Sequence, residues 1–164
     1  MSHDPPALLC DRMLGALARW LRLAGIDTAY AAEGPHGPTD DAVLLAEASA
    51  QGRILLTRDV ALAAAAGTGG LLLHSSGTLD QLREVVVALH LPLDGALQRC
   101  SRCNGLLGKG EGPPATRLLQ VLPPQVQSGQ WPYWVCPSCG QHYWEGSHTP
   151  KIRATLAAIA LPQP

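Results

Sequence analysis

The chain has 164 residues and 17.3 kDa, enough for one ordinary domain or for a domain of about 100 residues with a small module beside it. Hydrophobic residues make up 46% and charged residues only 15%, with a net charge of −1. A real core can form, and the global basic charge of a nucleic-acid-coating protein is excluded. No apolar run reaches the roughly 18 residues needed to span a membrane, and the polar, Pro-rich start lacks the apolar core of a signal peptide. The expectation is a cytoplasmic protein with no membrane association. There is no Phe, so the core must be aliphatic, and ten Arg stand against two Lys.

The apolar run at 7–10 ends in Asp11 and reads as a buried first strand. Leu14, Leu17, Leu21 and Ala24 then recur at i, i+3, i+7 and i+10, one face of a helix that Gly25 stops. Arg12, Arg19 and Arg22 lie off that stripe and are expected to face solvent or a ligand. Residues 28–32 read as a second strand and 34–38 (GPHGP) as a loop. Asp40 or Asp41 caps the next helix, with Val43, Leu44 and Ala48 inward and Gly52 at its end. RILLT at 53–57 is the clearest strand and runs into Arg58 and Asp59. An Ala-rich helix closed by Gly67, Gly69 and Gly70, a strand at 71–74, and a helix from Thr78 or Asp80 through Leu89 follow. This alternation predicts an α/β fold, a parallel sheet with helices on both faces and right-handed crossovers, in a first domain of residues 1–95. From about Gln98 the texture changes to Cys pairs, Gly, Pro and aromatics. Residues 96–164 are expected to form a small zinc module with a short final helix over 151–160.

Five cysteines occur, four of them in two CxxC pairs, Cys100/Cys103 and Cys136/Cys139. A tight turn inside each pair points two thiolates at one ion. Asn104 and Gly140, just after the second Cys of each pair, tolerate the left-handed backbone such a turn needs. Two knuckles supply four thiolates in a tetrahedron, predicting one structural zinc ion with closed coordination. Neither pair opens a helix after a strand, the setting of a redox CxxC. Cys10, alone on a buried strand, reads as core.

Asp11 and Asp59 each follow an apolar strand. The carboxyl ends of parallel strands share one edge, where ligands bind in doubly wound sheets. The two acids can therefore meet there, and a helix opening at Asp41 (or Asp40) can reach the same edge. Clustered carboxylates favour a hard cation such as Mg²⁺ or Mn²⁺. Asp is also a favoured helix cap, and each of these residues stands where a cap belongs.

Four blocks of sequence carry a resemblance: 11–15 (DRMLG) with 17–22 (LARWLR), 52–59 (GRILLTRD), the two CxxC knuckles, and 143–148 (YWEGSH). Together they resemble the Mut-seven C-terminal RNase family, over roughly residues 7–157. The resemblance implies a PIN-like three-layer α/β/α nuclease domain followed by a zinc ribbon. It implies a metal-dependent ribonuclease with RNA as partner and a catalytic Mg or Mn, and it leaves room for a homodimer or a partner protein. Asp11, Asp41 and Asp59 match the family's acids. The mid-helix acid of many PIN nucleases has no clear counterpart, and only Asp27 and Glu33 are available for it. Arg12, Arg19, Arg22 and Arg58 are candidate phosphate contacts, and His148 and Lys151 are placed to close the site from the C-terminal side. His36, His74, His90 and His142 read as surface or loop residues. The aromatics near the second knuckle read as the ribbon's own core. The competing reading is a non-catalytic RNA- or protein-binding module on the same fold.

Overall fold

The computed structural model of the protein describes residues 5–33, 40–93, 98–110 and 121–160. The loop expected at 34–38, His36 within it, and the expected domain boundary between 95 and 96 lie outside the described residues.

The chain alternates β1 (Leu8–Cys10), α1 (Gly15–Leu23), β2 (Thr28–Tyr30), α2 (Asp41–Ala50), β3 (Ile54–Thr57), α3 (Val60–Ala66), β4 (Gly70–Leu72) and α4 (Thr78–Leu89). The four strands form one parallel sheet in the order β2-β1-β3-β4, with Cys10 beside both Tyr30 and Leu56. The strands are short, but successive side chains still leave opposite faces. Leu8 and Cys10 join α1 and α4 residues such as Leu17, Leu21, Leu82 and Val85 in one core. Leu9 and Leu55 join Leu44, Ala48 and Leu62 of α2 and α3 in a smaller core on the other face. The three-layer α/β/α arrangement expected from the alternation is therefore present.

The ribbon holds β5 (Gly108–Lys109), a short helix α5 (Pro124–Gln127), β6 (Tyr133–Val135) and β7 (His142–Trp144). Its strands form an antiparallel sheet, β5-β6-β7, and a bridge between Arg99 and Leu106 closes the first knuckle as its own hairpin. Tyr133, Leu122 and Val126, with Trp131 and Trp144 against them, make the ribbon's own core, as expected of these aromatics.

The last described element is α6 (His148–Ala160), three residues longer at its start than the predicted helix. It does not simply trail the ribbon. Leu156 and Ile159 are buried in the same core as α1 and α4. This helix thus returns to the sheet domain. Two local expectations change. Val43, predicted inward, is 46% exposed on the first turn of α2. The second strand stops at Tyr30, where residues Ala31–Glu33 turn into a 3-10 helix. Among the described residues, no helix is long and apolar enough to cross a membrane.

Candidate functional site

The strand order creates a switch point. From β1 the chain moves to one side for β2 and returns on the other side for β3, so the loops leaving β1 and β3 diverge at their carboxyl ends. Crevices in open α/β sheets form at such a point. Asp11 leaves β1 there, and Asp59 leaves β3.

Asp11 is buried. Its Oδ1 accepts from the Arg12 N–H at 2.6 Å, and its Oδ2 accepts from the Thr57 hydroxyl at 2.7 Å. The Thr57 oxygen in turn accepts from the Asp59 N–H at 3.0 Å. Thr57, wholly buried at the end of β3, therefore couples the two acidic residues. Asp59 also accepts from the Leu62 N–H, capping α3, and Asp11 caps the 3-10 turn Arg12–Leu14. Both acids are helix caps as well as edge residues. Each carboxylate oxygen retains a lone pair for another partner. None of the ion pairs among the described residues involves Asp11, Asp41 or Asp59. A buried carboxylate served only by neutral donors is a place for a cation.

Asp40 rather than Asp41 caps α2, accepting from the Ala42 N–H at 3.3 Å, while Asp41 stands exposed in the first turn. The structure couples Asp11 and Asp59 through Thr57. Asp11, Asp41 and Asp59 do not form a close ligand group as they stand: among the described residues, the only group of three or more side chains placed to share one ion is the four cysteines.

Tyr30 supports the same edge from β2. Its hydroxyl donates to the Arg12 carbonyl at 2.8 Å, and its ring lies over Gly15, where an added Cβ would come 2.7 Å from the hydroxyl oxygen. A glycine there lets Tyr30 hold the turn that follows Asp11. Neither Thr57 nor Tyr30 was singled out in the sequence. The Thr immediately before Arg58-Asp59 was the available signal.

Two expected site residues belong elsewhere. Asp27 precedes β2, at the opposite end of the sheet, and its carbonyl accepts from the Leu8 N–H. Its carboxylate is held by Arg53 at 2.7 Å and Asn104 at 2.8 Å, with Arg99 at 3.5 Å. Burial alone would raise its pKa, but these partners bring it below its ordinary value. Arg22 does not face solvent or a ligand. It is 1% exposed, and its guanidinium is turned inward onto acceptors of the protein. It grips Glu33 through two bonds of 2.7 and 3.2 Å, and it donates to the carbonyls of Thr28, Ser101 and Arg102. Glu33 is thereby committed to Arg22. Arg12, Arg19 and Arg58 are exposed as expected. His148 opens α6 and, like Lys151, is exposed.

Ser101 and Arg102 lie inside the first knuckle, so Arg22 joins the sheet domain to the four-cysteine module. Asn104 adds to that joint: its left-handed backbone (φ 68°) aims its side chain at the Thr28 N–H and at Asp27.

In the knuckles, Cys100 and Cys139 sulfurs are 3.6 Å apart, Cys103 and Cys136 sulfurs 3.4 Å, and all four lie within 4.8 Å of one another. A tetrahedron with Zn–S of about 2.3 Å has sulfur–sulfur edges of about 3.8 Å, whereas a disulfide needs about 2.05 Å. The donor set fits one zinc ion. Gly105 permits the close packing of the knuckles, since a Cβ there would lie 2.9 Å from Ser138 Oγ and 3.1 Å from Cys136 Sγ. Burial raises Cys103 to about 12 and also raises Cys139. Such crowded thiols ionise together only around a cation. Cys100 differs: burial opposes its ionisation, but the Tyr143 hydroxyl at 3.1 Å and two backbone N–H groups bring it down to about 7.

A family model described as the Mut7-C RNAse domain matches residues 6–156. No curated protein and no solved structure matches the chain.

Proposed function

The chain belongs to the Mut7-C RNAse domain family, and from that premise we propose that it is a metal-dependent ribonuclease whose reaction site is the carboxyl edge of β1 and β3. The observation that carries this reading is the buried Asp11 carboxylate, which lacks a cationic partner among the described residues and is coupled through Thr57 to Asp59. Asp11 and Asp59 are the residues that would hold Mg²⁺ or Mn²⁺, with Asp41 joining from the start of α2. The ion would supply charge neutralisation at a phosphodiester and a water of lowered pKa. The protein's own part is positional. Thr57 fixes the spacing of the two acids, Tyr30 fixes the turn after Asp11, and exposed Arg12 and Arg58 flank the edge as phosphate contacts. The four cysteines hold a structural zinc.

A non-catalytic RNA-binding module is the second reading. It is favoured by one observation, that among the described residues Asp11, Asp41 and Asp59 do not form a close ligand group.

The deciding experiment is cleavage of labelled RNA with Mn²⁺ or Mg²⁺ by the wild type, Asp11→Asn and Asp59→Asn, with zinc content and melting followed alongside. Metal-dependent cutting by the wild type and its loss in both variants supports the nuclease. Binding without cutting by a zinc-loaded wild type moves the assignment to the second reading.

A further inference from the structure

We propose that the exposed side of α1 and the first zinc knuckle form a continuous track for an RNA backbone, running from the acidic edge at Arg12 through Arg19 to Arg102. The proposal rests on the RNA reading above and adds to it a binding surface and a function for the ribbon in substrate contact.

The arginines around α1 divide into two sets. Arg22, Arg53 and Arg99 are taken up by Glu33 and Asp27 inside the joint between the sheet domain and the knuckle. Arg12, Arg19 and Arg102 are exposed, and their guanidinium groups have no partner among the described residues. The carboxylates of Glu33 and Asp27 are therefore already matched, and the exposed arginines are left over. Residues 12–26 and 98–110 contain no Asp or Glu at all. In a chain of net charge −1, that concentrates positive potential on one side.

The order of these residues in space follows from two contacts. Arg19 stands one turn before Arg22, and residues three apart are neighbours on a helix surface. Arg22 Nη1 lies 3.0 Å from the Arg102 carbonyl. The knuckle thus continues the line of α1 instead of starting a separate surface. Arg12 begins the turn leading into α1, directly after Asp11. The nine residues of α1 cover about 13 Å of this path at 1.5 Å per residue. Trp20, next to Arg19, is half-buried and packs against the core, so the track is carried by its arginines. The zinc knuckle sets the far end, because Arg102 lies between its two cysteines.

The test is equilibrium binding of labelled single-stranded RNA of about 12 and about 4 nucleotides, the range that single-strand sites span, without added Mg²⁺ or Mn²⁺. The proteins are the zinc-loaded wild type, Arg19→Ala, Arg102→Ala, Arg102→Lys and, as an equal charge change outside α1 and the first knuckle, Lys109→Ala on β5. The expected result is a loss of about three- to tenfold in affinity for the longer RNA in both Arg→Ala variants, with each salt slope reduced by about 0.7. Arg102→Lys should restore most of the binding, and the short RNA should be insensitive to Arg102. Unchanged binding in Arg19→Ala and Arg102→Ala, an equal loss in Lys109→Ala, or no RNA binding by the wild type overturns the proposal. The nuclease reading is judged separately. Loss of binding in these variants with no cutting by the wild type leaves the track standing and removes the nuclease, while cutting with unaltered binding does the reverse.

Discussion

Thr57 donates its hydroxyl to Asp11 across the β1–β3 boundary at 2.7 Å, joining residues 46 positions apart in the chain. The same oxygen accepts from the Asp59 N–H, so one buried hydroxyl sets the relation between the two acids that leave the switch point. Thr57→Val keeps the shape and removes the hydroxyl. The variant is expected to lose about 1–2 kcal/mol of stability and roughly ten- to a hundredfold in RNA cleavage through misplacement of the acids. Chemical denaturation and single-turnover cleavage measure the two effects, and an unaltered cleavage rate would remove Thr57 from the site.

Arg22 predicts a coupling between zinc and the sheet domain. Its guanidinium and the Asn104 side chain bond to Thr28, Asp27 and Glu33 of the sheet domain, and the guanidinium also bonds to the Ser101 and Arg102 carbonyls of the knuckle. Metal binding supplies folding free energy to small cysteine modules. Chelation should therefore loosen the knuckle and also expose the start of β2. Amide exchange at Thr28 is expected to accelerate on chelation and recover when zinc is restored. Protection at Thr28 that ignores zinc would show that the ribbon is merely tethered. Arg22→Met, without chelation, should cost about 3 kcal/mol, the low end for breaking a buried pair because Glu33 stays partly in water.

Asp27 gives a pH signature. Its folded pKa lies below the ordinary value of 3.8, because the bonds and charges of Arg53, Asn104 and Arg99 outweigh burial. A depressed carboxylate pKa contributes stability that is fully present above the unfolded value and lost as pH falls through the folded one. The joint should thus hold from neutrality to about pH 4 and weaken below it. Asp27→Asn should flatten the acid limb of a melting-temperature profile and lower the neutral plateau. An acid limb identical to the wild type would assign that limb to other carboxylates.

Tyr143 touches Cys100 at 3.1 Å and takes the Ser101 N–H at 2.9 Å. Its hydroxyl orients one thiolate of the zinc set, the kind of supporting contact whose loss lowers metal affinity by about 10- to 100-fold. Tyr143→Phe should release zinc to a competing chelator faster by a comparable factor while retaining one zinc per chain at saturation. Equal release rates would reduce the contact to packing.

Several features were legible in the residues alone. The doubled CxxC spacing defines a four-thiolate site because ligand direction there depends on a turn of a few residues. The apolar runs that end in Asp11 and Asp59 place acids at strand ends because alternation of strand and helix forces a parallel sheet. Other features were settled only by the tertiary structure. Helical spacing put Arg22 off the stripe of Leu14, Leu17 and Leu21, but spacing cannot show that carbonyls from residues 101 and 102 wait for it. Asp27 looked like a spare acid until the fold put it at the far end of the sheet between Arg53, just before β3, and Arg99 of the knuckle. The final helix read as an extension of the ribbon, and only packing placed Leu156 and Ile159 in the core beside α1 and α4. Local pattern reports which face of an element is apolar. Which long polar side chains are drawn inward depends on acceptors brought together from distant parts of the chain, and that is decided when the layers assemble.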